Sequence, residues 1–474
     1  MAIAVSSSPS AIGGGLRRAA LAIIAPSLLL GGLAGCGVFD DEERLEGTRI
    51  PVRGERSTSI PDEPLEDGAS AAPTLSFEPG EADAVAAGGV PLPAPRELDA
   101  WTQTNAVPSH NAGHLSGPAS LQRAWSVDVG AGNSDDGQIT SAPVVAEGRV
   151  YVLDAEADAA AFDADSGREI WRRALTPENE DGSEGFGGGL AYADGRIFAT
   201  TGFGEFLALD AASGEILWRR GIGAPFRAAP AVAQGVIVAV TRDNRAFGVR
   251  ASDGEALWRA SAAVSGAGLL GGASPAIASG AALLPYTSGE IVAVQLGTGR
   301  RFWSAVLSGG RRGLARSSIS DVTGDPVVVG PFAIAANQAG RIVAIEGRTG
   351  RRVWTRSIGA TGPLWAAGET LFLVSDASQL IRLSARNGAT IWQTTLPAFE
   401  DPEDREDPIQ YSGPVLVEGR ILVTSSIGEL LAFEGVGGQP VAVTDLSSGS
   451  ITGPVVANDT VYVLTDEGRL DAYR

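Results

Sequence analysis

The chain has 474 residues and a formal net charge of −20, and every one of its basic residues is an arginine. The absence of lysine from the sequence excludes Schiff-base catalysis and P-loop phosphate binding, because both need an amine. An acidic surface repels phosphate backbones, which argues against nucleic acid as a partner. The 63 glycines and the low charged fraction of 19% are typical of many short strands joined by tight turns.

The first 36 residues have the pattern of a secretory signal. Arg17 and Arg18 precede an apolar run, residues 19–30, which is too short to predict a membrane span. The run leads into a Leu-Ala-Gly-Cys string that ends at Cys36 and resembles the bacterial lipobox. By that resemblance Cys36 is diacylated and becomes the mature N-terminus. Gly37 and Val38 follow it, so the second mature position is not an Asp, which implies the periplasmic face of the outer membrane. The alternative is an ordinary signal peptide with an unrelated cysteine.

Residues 37–100 form a separate compositional region. They hold 15 acidic residues against five arginines, many prolines and glycines, and few aromatic residues. Such a segment cannot bury enough apolar surface to fold by itself, so we predict a disordered acidic tether. Residues 47–56 are less acidic than their surroundings and are a candidate docking stretch within this tether.

Further along, the chain repeats a ten-residue window at the interval of one four-stranded propeller blade. Column six is always Gly, and column ten is Trp in the first six windows, which suits a hairpin turn followed by a ring that packs between sheets. The windows are residues 162–171, 209–218, 249–258, 294–303, 345–354, 383–392 and 433–442. We predict a structural, blade-docking role for Trp125, Trp171, Trp218, Trp258, Trp303, Trp354 and Trp392.

Each window is preceded by two further strand-like runs, and the first of them usually starts at a proline, as at Pro143. Counting such units from residue 141 gives eight, of which the last lacks its final strand. The stretch around Trp125 has the sequence of that missing strand. Residues 121–474 therefore predict an all-β fold: an eight-bladed β-propeller of four-stranded antiparallel blades, with the ring closed by an N-terminal strand.

The Gly-to-Trp window resembles the repeat of the pyrroloquinoline-quinone (PQQ)-type propeller superfamily. The whole chain is more similar to the BamB family, the lipoproteins of the machinery that inserts β-barrels into the outer membrane. The lipobox, the eight units, the closing strand and the lead-in of residues 101–120, with its His110 and His114, carry this likeness. The resemblance implies a monomeric, non-catalytic scaffold without a cofactor, which binds the periplasmic POTRA domains of a BamA-type protein.

The resemblance also implies contact residues in two loops that join one blade to the next. Leu269 and Leu270 match the family's first contact loop, although Leu270 falls where the family has Arg. Asp321 matches the second loop, and Arg316 lies shortly before it. We expect these four residues to form one partner-binding patch with an apolar centre and charged neighbours. The alternative is inter-blade packing for the leucines and a structural turn for Asp321.

A rival interpretation is a periplasmic PQQ-type quinoprotein dehydrogenase, or a propeller that binds a small ligand in its central channel. The superfamily resemblance implies for such enzymes a Ca²⁺ site, a base Asp and usually an adjacent pair of cysteines. Cys36 is the only cysteine of the sequence, and no distinctive carboxylate cluster stands out in the repeats. We therefore predict that the chain is not an enzyme.

Two other polar features are weighed as metal sites. His110 and His114 are four residues apart, but Pro108 and Gly113 disfavour the helix that this chelating spacing needs, so a structural or surface role is predicted. The acidic stretch 400–407 lacks the ordered spacing of an EF-hand and is interpreted as solvated charge. We predict no metal site.

Overall fold

The structure is a computed structural model that describes residues 90–474, apart from residues 136, 186, 264–270, 308–319 and 361. Within these ranges the chain forms 34 β-strands and one 3₁₀ turn, Gly182–Glu184. Eight four-stranded antiparallel sheets account for all but two of the strands. The predicted eight-bladed β-propeller is confirmed. No helix in the described ranges is long and apolar enough to cross a membrane.

The first strand, β1 (Arg123–Asp128), belongs to the last blade, and blades 1–4 follow it along the chain. Each of these four blades is a run of four consecutive strands. They are β2 (Val144–Ala146), β3 (Arg149–Leu153), β4 (Asp158–Asp163) and β5 (Glu169–Ala174); β6 (Gly188–Ala193), β7 (Arg196–Thr201), β8 (Glu205–Asp210) and β9 (Ile216–Gly221); β10 (Ala231–Ala233), β11 (Val236–Val240), β12 (Arg245–Arg250) and β13 (Ala256–Ser261); and β14 (Ala276–Ala278), β15 (Ala281–Pro285), β16 (Glu290–Gln295) and β17 (Arg301–Val306).

Blades 5–7 repeat this plan, and blade 8 combines three C-terminal strands with β1. The strands are β18 (Val322–Val329), β19 (Phe332–Asn337), β20 (Arg341–Glu346) and β21 (Arg352–Arg356); β22 (Trp365–Ala367), β23 (Thr370–Val374), β24 (Gln379–Ser384) and β25 (Thr390–Thr395); β28 (Tyr411–Val417), β29 (Arg420–Ser425), β30 (Glu429–Glu434) and β31 (Pro440–Asp445); and β32 (Val455–Ala457), β33 (Thr460–Leu464) and β34 (Arg469–Tyr473). The acidic stretch forms an exposed hairpin between blades 6 and 7, β26 (Phe399–Asp401) with β27 (Glu406–Pro408).

Two faces of the ring follow from this antiparallel order. The first strands of neighbouring blades contact one another, so they line the axis, while the fourth strands lie at the rim. Turns that join the first strand to the second, and the third to the fourth, emerge at one end of the strands, which we call the turn face. The connections between blades emerge at the other end, which we call the connection face.

The paired Gly and Trp of the repeat meet across blade interfaces. Gly167 has a φ of +71°, a conformation that a glycine adopts at little cost. A β-carbon there would lie 2.7 Å from the indole of Trp125, so only glycine lets that ring pack flat on the turn. The same contact recurs from Gly214 on Trp171 to Gly438 on Trp392. In blades 1–6 the indole N–H also donates to a carbonyl of the next blade, at 2.6–3.2 Å.

Blade 7 has no such indole, because Ala442 occupies column ten and pairs with Ala432. The strand topology of blade 8 explains why this Trp is absent. Its third strand β34 pairs with β1, which is distant in the chain, so no glycine turn joins them and a Trp at 442 would have nothing to dock on. The pairing of β1 with β34 confirms the predicted ring closure by the strand around Trp125.

The ring begins before the predicted tether boundary at residue 100. Arg382 donates a hydrogen bond to the carbonyl of Val90 at 2.6 Å, and the backbone N–H of Asn458 donates to the carbonyl of Leu98 at 3.0 Å. Residues 90–100 therefore lie on the ring, not in the tether. The sequence concealed this because these residues follow no repeat and contact blades that are distant in the chain.

Candidate partner-binding surface and the central belt

Three of the four predicted partner-binding residues, Leu269, Leu270 and Arg316, lie outside the described residues, as does the predicted lipidation site Cys36. The fourth, Asp321, is described on the connection face, just before β18. Its side chain is fully buried, so it does not offer the surface contact that the sequence analysis expected. The physical reason is an ion pair with a residue of another blade connection.

Asp321 pairs with Arg227, which lies in the connection between blades 2 and 3. The two atoms Nη2 and Oδ1 are 2.7 Å apart, and both side chains are almost completely inaccessible to solvent. The Arg227 side chain crosses the backbone of Gly272, where a β-carbon would lie 1.8 Å from Nε. It also approaches the carbonyl of Val322 at 3.4 Å.

Arg227, Gly272 and Asp321 lie just before the first strands of blades 3, 4 and 5. The ion pair therefore connects the chain where it enters these three blades. Gly272 follows segment 264–270 closely in the chain, and Asp321 follows segment 308–319. The described residues that follow the two candidate contact segments are therefore held together by one buried ion pair. Burial and the charge of Arg227 also lower the pKa of the neighbouring Arg242. Sequence reasoning missed Arg227 because it is 94 residues from its partner and follows no motif.

The lead-in segment encircles the axis of the ring. We call residues 96–118 the belt. The belt bonds to all eight blades in chain order, at or next to the first strand of each. The contacts are Leu98 with Asn458 (blade 8), Trp101 with Val145 (blade 1), Thr102 with Tyr192 (blade 2), Gln103 with Val232 (blade 3), Pro108 with Ile277 (blade 4), Ser109 with Val328 (blade 5), Gly113 with Trp365 (blade 6) and Leu115 with Leu416 (blade 7).

The belt closes on itself where Arg96 meets Leu115. The backbone N–H of Arg96 donates to His114, and its carbonyl accepts from Ser116. Trp101 is bonded to blade 1, yet its ring stacks on Trp365 of blade 6 with centroids 5.7 Å apart. First strands of an open ring would leave an unpaired edge at the axis. The belt supplies those partners and fills the channel end nearest the turn face.

The two histidines of the belt bond to backbone groups and not to each other. Nδ1 of His110 donates to the carbonyl of Pro326 at 2.8 Å, and Nε2 makes no hydrogen bond within the described residues. Nε2 of His114 accepts from the N–H of Gly419 at 2.7 Å, and Nδ1 donates to Pro93 at 2.7 Å. Among the described residues no group of three His, Cys, Asp or Glu side chains could hold a metal ion.

A buried carboxylate lies deeper in the channel. Oδ1 of Asp325 accepts from the N–H of Ser274 at 2.7 Å, and Oδ2 accepts from Nδ2 of Asn105 in the belt at 3.3 Å. Burial raises the pKa of Asp325 to about 6 and lowers the pKa of His110 to about 4, because both charged forms lose hydration. Both groups serve to hold the belt.

Comparison with known proteins identifies the family. A family model described as outer membrane protein assembly factor BamB matches residues 122–181 and 155–394. The chain belongs to the BamB family. The outer membrane protein assembly factor BamB of Salmonella typhimurium is 30% identical over 73% of this chain and 87% of its own length. The BamB of Moranella endobia is 26% identical over 74% of this chain and 89% of its own length.

Solved structures show the same fold in proteins with different functions. BamB from Moraxella catarrhalis is 17% identical, with a TM-score of 0.63, and the match covers 75% of this chain and 100% of that one. A quinohemoprotein alcohol dehydrogenase from Comamonas testosteroni is 12% identical, with a TM-score of 0.61 over 79% of this chain and 80% of that one. At these identities the likeness shows the fold alone, so function must be argued from the sites.

Proposed function

We propose that this chain is a lipid-anchored, non-catalytic scaffold of the outer-membrane β-barrel assembly machinery, which binds the POTRA domains of a BamA-type protein through its connection face. The relatives are named outer membrane protein assembly factors, which supports this class of function. The anchor is the diacylated Cys36, at the periplasmic face of the outer membrane, and the ring itself is monomeric.

The Arg227–Asp321 ion pair is the observation that carries the proposal. It holds Gly272, which follows segment 264–270, close to Asp321, which follows segment 308–319, so the described residues next to the two candidate segments meet on the connection face. A buried pair that loses one partner leaves an uncompensated charge, which makes the pair a rigid support. Asp321 acts as a positioning residue beneath the contact surface.

The belt argues against the rival interpretation. A quinone or other small ligand on the axis at the turn face would have to displace residues that bond to all eight blades. We therefore propose that the chain binds at its outer surfaces and requires no cofactor. A visible absorption spectrum of the purified protein tests this, since a bound quinone chromophore would contradict it.

The partner is tested by calorimetric titration of purified POTRA domains into full-length Cys36→Ser protein. We expect Leu269→Ala and Leu270→Glu each to weaken binding at least about tenfold, as hot-spot side chains do, without lowering the melting temperature. Leu217→Glu is the matched control, because Leu217 is 44% exposed on an outer strand away from the connection face. Undiminished binding by both variants would rule out this surface, and no binding by the parent would rule out the partner.

The anchor is tested separately by cell fractionation. Without the Cys36 thiol there is no acylation site, so the Cys36→Ser protein should leave the membrane fraction. A variant that still sediments with outer membranes after a salt wash would contradict lipid anchoring at this residue.

A further inference from the structure

A groove of about 290 Å³ opens on the turn face between blades 2 and 3. Ala193, Phe198, Val232 and Ala251 give it largely apolar walls, and Arg196 places a guanidinium beside them. Within the described ranges no segment of the chain fills this groove. The grooves between other blades show which kind of chain fits such a space.

The groove between blades 1 and 2 is closed by aromatic side chains. Tyr192 stands there at the position that Val232 has in blade 3, two residues before the turn between the first and second strands. Its ring stacks on Tyr151 with the centroids 6.3 Å apart. The smaller Val232 leaves the corresponding space between blades 2 and 3 open.

The groove between blades 6 and 7 is filled by an extended segment of the chain itself, Val90-Pro91-Leu92-Pro93. Leu92 and Leu416 both approach Gly435, and Leu92 packs on the core cluster that contains Leu416. Leu416 is the counterpart of Val232 in blade 7. An aliphatic residue followed by a proline therefore occupies, between blades 6 and 7, the space that is open between blades 2 and 3.

The groove between blades 7 and 8 holds a second extended segment, Gly117-Pro118-Ala119. Gly117 lies against Val456, which is the counterpart of Val232 in blade 8. Arg420, at the start of β29, donates to the carbonyls of Pro118 at 2.6 Å and Ala119 at 3.2 Å. Here too the residue over this position precedes a proline, and an arginine holds the backbone that follows.

Arg196 is the counterpart of Arg420 in blade 2, since each is the first residue of the second strand of its blade. Nη1 of Arg196 donates to the carbonyls of Ala251 at 3.2 Å and Ser252 at 3.3 Å, which fixes the guanidinium at the groove. Within the described residues Nη2 of Arg196 makes no hydrogen bond. It is therefore free to donate to a backbone carbonyl, as the guanidinium of Arg420 does.

We propose that the groove between blades 2 and 3 binds an extended, proline-containing segment of another protein, in which a small aliphatic residue precedes the proline. The aliphatic side chain packs on Val232 and Phe198, and a carbonyl next to the proline accepts from Nη2 of Arg196. A segment of this kind is already extended before it binds, so it loses little conformational entropy in the groove.

The turn between the third and fourth strands limits the size of the bound side chain. The backbone N–H of Ala251 in blade 3 and that of Gly435 in blade 7 make the same hydrogen bond, to the glycine of the preceding turn. A β-carbon at Gly435 would lie 2.9 Å from Cδ1 of Leu92, which is too close for a leucine. Ala251 has that β-carbon, so valine, which is one carbon shorter, fits this groove better than leucine.

The groove lies on the turn face, opposite to the connection face. A segment bound there leaves the connection face open, so the ring can hold two proteins at once. The inference goes beyond the proposed function and does not depend on it, because the site is built from residues of blades 2 and 3 on the turn face alone.

Fluorescence anisotropy with a labelled peptide tests the proposal in the full-length Cys36→Ser chain. The peptide Pro-Val-Pro-Ala-Pro repeats residues 91–95 with valine in the place of leucine. We expect saturable binding with a Kd below about 1 mM. Arg196→Ala should weaken binding at least about tenfold, because a charge-assisted hydrogen bond is lost. Arg149→Ala is the matched control at the same strand position in blade 1, where Tyr192 closes the groove, and should leave binding unchanged.

The peptide side chain provides a second readout that does not depend on the stability of a protein variant. Leucine in the place of valine should weaken binding at least about fivefold, because it overpacks the groove against Ala251. The Ala251→Gly protein should lose this preference for valine. Aspartate in the same place should abolish binding, because a charged side chain does not enter an apolar groove without a partner.

The absence of saturable binding below that concentration would overturn the proposal, as would equal affinities of the parent and Arg196→Ala. Self-association of the parent that Arg196→Ala abolishes would also overturn it and would assign the groove to a second copy. Neither measurement involves POTRA domains, so the failure of this inference is distinguishable from the failure of the proposed function.

Discussion

The interfaces that follow blades 1–6 and the junction between blades 7 and 8 solve the same packing problem in different ways. At the six interfaces an indole lies on a glycine turn of the next blade and donates to its carbonyl. At the junction the end of the belt and the residue after it contact blade 7: Arg420 donates to the carbonyls of Pro118 and Ala119, and Gly117 lies against Val417. The Trp of the repeat is thus present only where the next blade has a glycine turn to receive it. The junction between blades 7 and 8 depends instead on a segment outside the repeat.

Removal of the belt should have the largest effect. Deleting residues 1–130 removes β1 and the belt, exposes first-strand edges and opens cavities where Trp101 and Leu115 are buried. We expect a loss of at least about 5 kcal/mol in the free energy of unfolding, or insolubility. Deleting residues 1–89 is the control and should leave the melting temperature unchanged. Equal melting temperatures of the two truncations would show that the belt and β1 do not hold the ring.

The indoles should be essential only where a turn receives them. Trp218→Ala leaves a cavity against Gly254 and should cost about 3–5 kcal/mol in chemical denaturation. The reverse change, Ala442→Trp in blade 7, should give no stabilisation because blade 8 has no turn to receive the ring. A clear gain from Ala442→Trp would contradict our explanation of the missing Trp.

The ion pair beneath the connection face should behave as a unit. Asp321→Ala strands the buried Arg227 charge and should cost about 3–5 kcal/mol. The double variant Arg227→Met, Asp321→Leu removes both charges and should recover much of that loss in a double-mutant cycle. Additive losses would mean that the two side chains are not coupled.

The belt should also give the ring a pH dependence. The folded state keeps His110 neutral down to about pH 4, whereas the unfolded chain protonates it near 6.5, so its contribution to stability is complete above pH 6.5 and is lost as the pH falls towards 4. Between pH 7 and 5 the parent should lose roughly 2 kcal/mol relative to His110→Gln. Asp325, whose pKa is raised to about 6, has the opposite effect on stability in both proteins. Below pH 6 its buried carboxyl is protonated and neutral, which stabilises the folded state. If the free energy of unfolding changed equally with pH in the parent and in His110→Gln, the role of His110 would be contradicted.

The sequence predicted the regular part of the fold because that part is local. Gly at column six and Trp at column ten recur at fixed spacing, and each has a reason within one blade interface. The belt has no period: Gln103, Asn105 and His110 each satisfy a group that is more than 100 residues away. The lead-in of residues 101–120 was therefore recognised only by its resemblance to the family, and its contacts with the blades were not predicted.

The site was less predictable than the fold. Asp321 was found by resemblance as a loop residue, but its burial depends on Arg227, which no spacing connects to it. The signal that could have found the pair is a lone charge beside apolar residues, as in Asp321-Val322, and it is weak because turns contain the same pattern. The absence of Trp at 442 was visible in the sequence, but its cause required the topology of blade 8.

Co-purification from detergent-solubilised outer membrane tests the central claim most directly. The full-length chain is isolated from its own host, and the proteins bound to it are identified and quantified by mass spectrometry. We expect a BamA-type protein in near-stoichiometric amount, with that amount reduced by Leu270→Glu and not by Leu217→Glu. A preparation that lacks any barrel-assembly protein and carries a bound chromophore would contradict a scaffold whose channel is closed by its own belt.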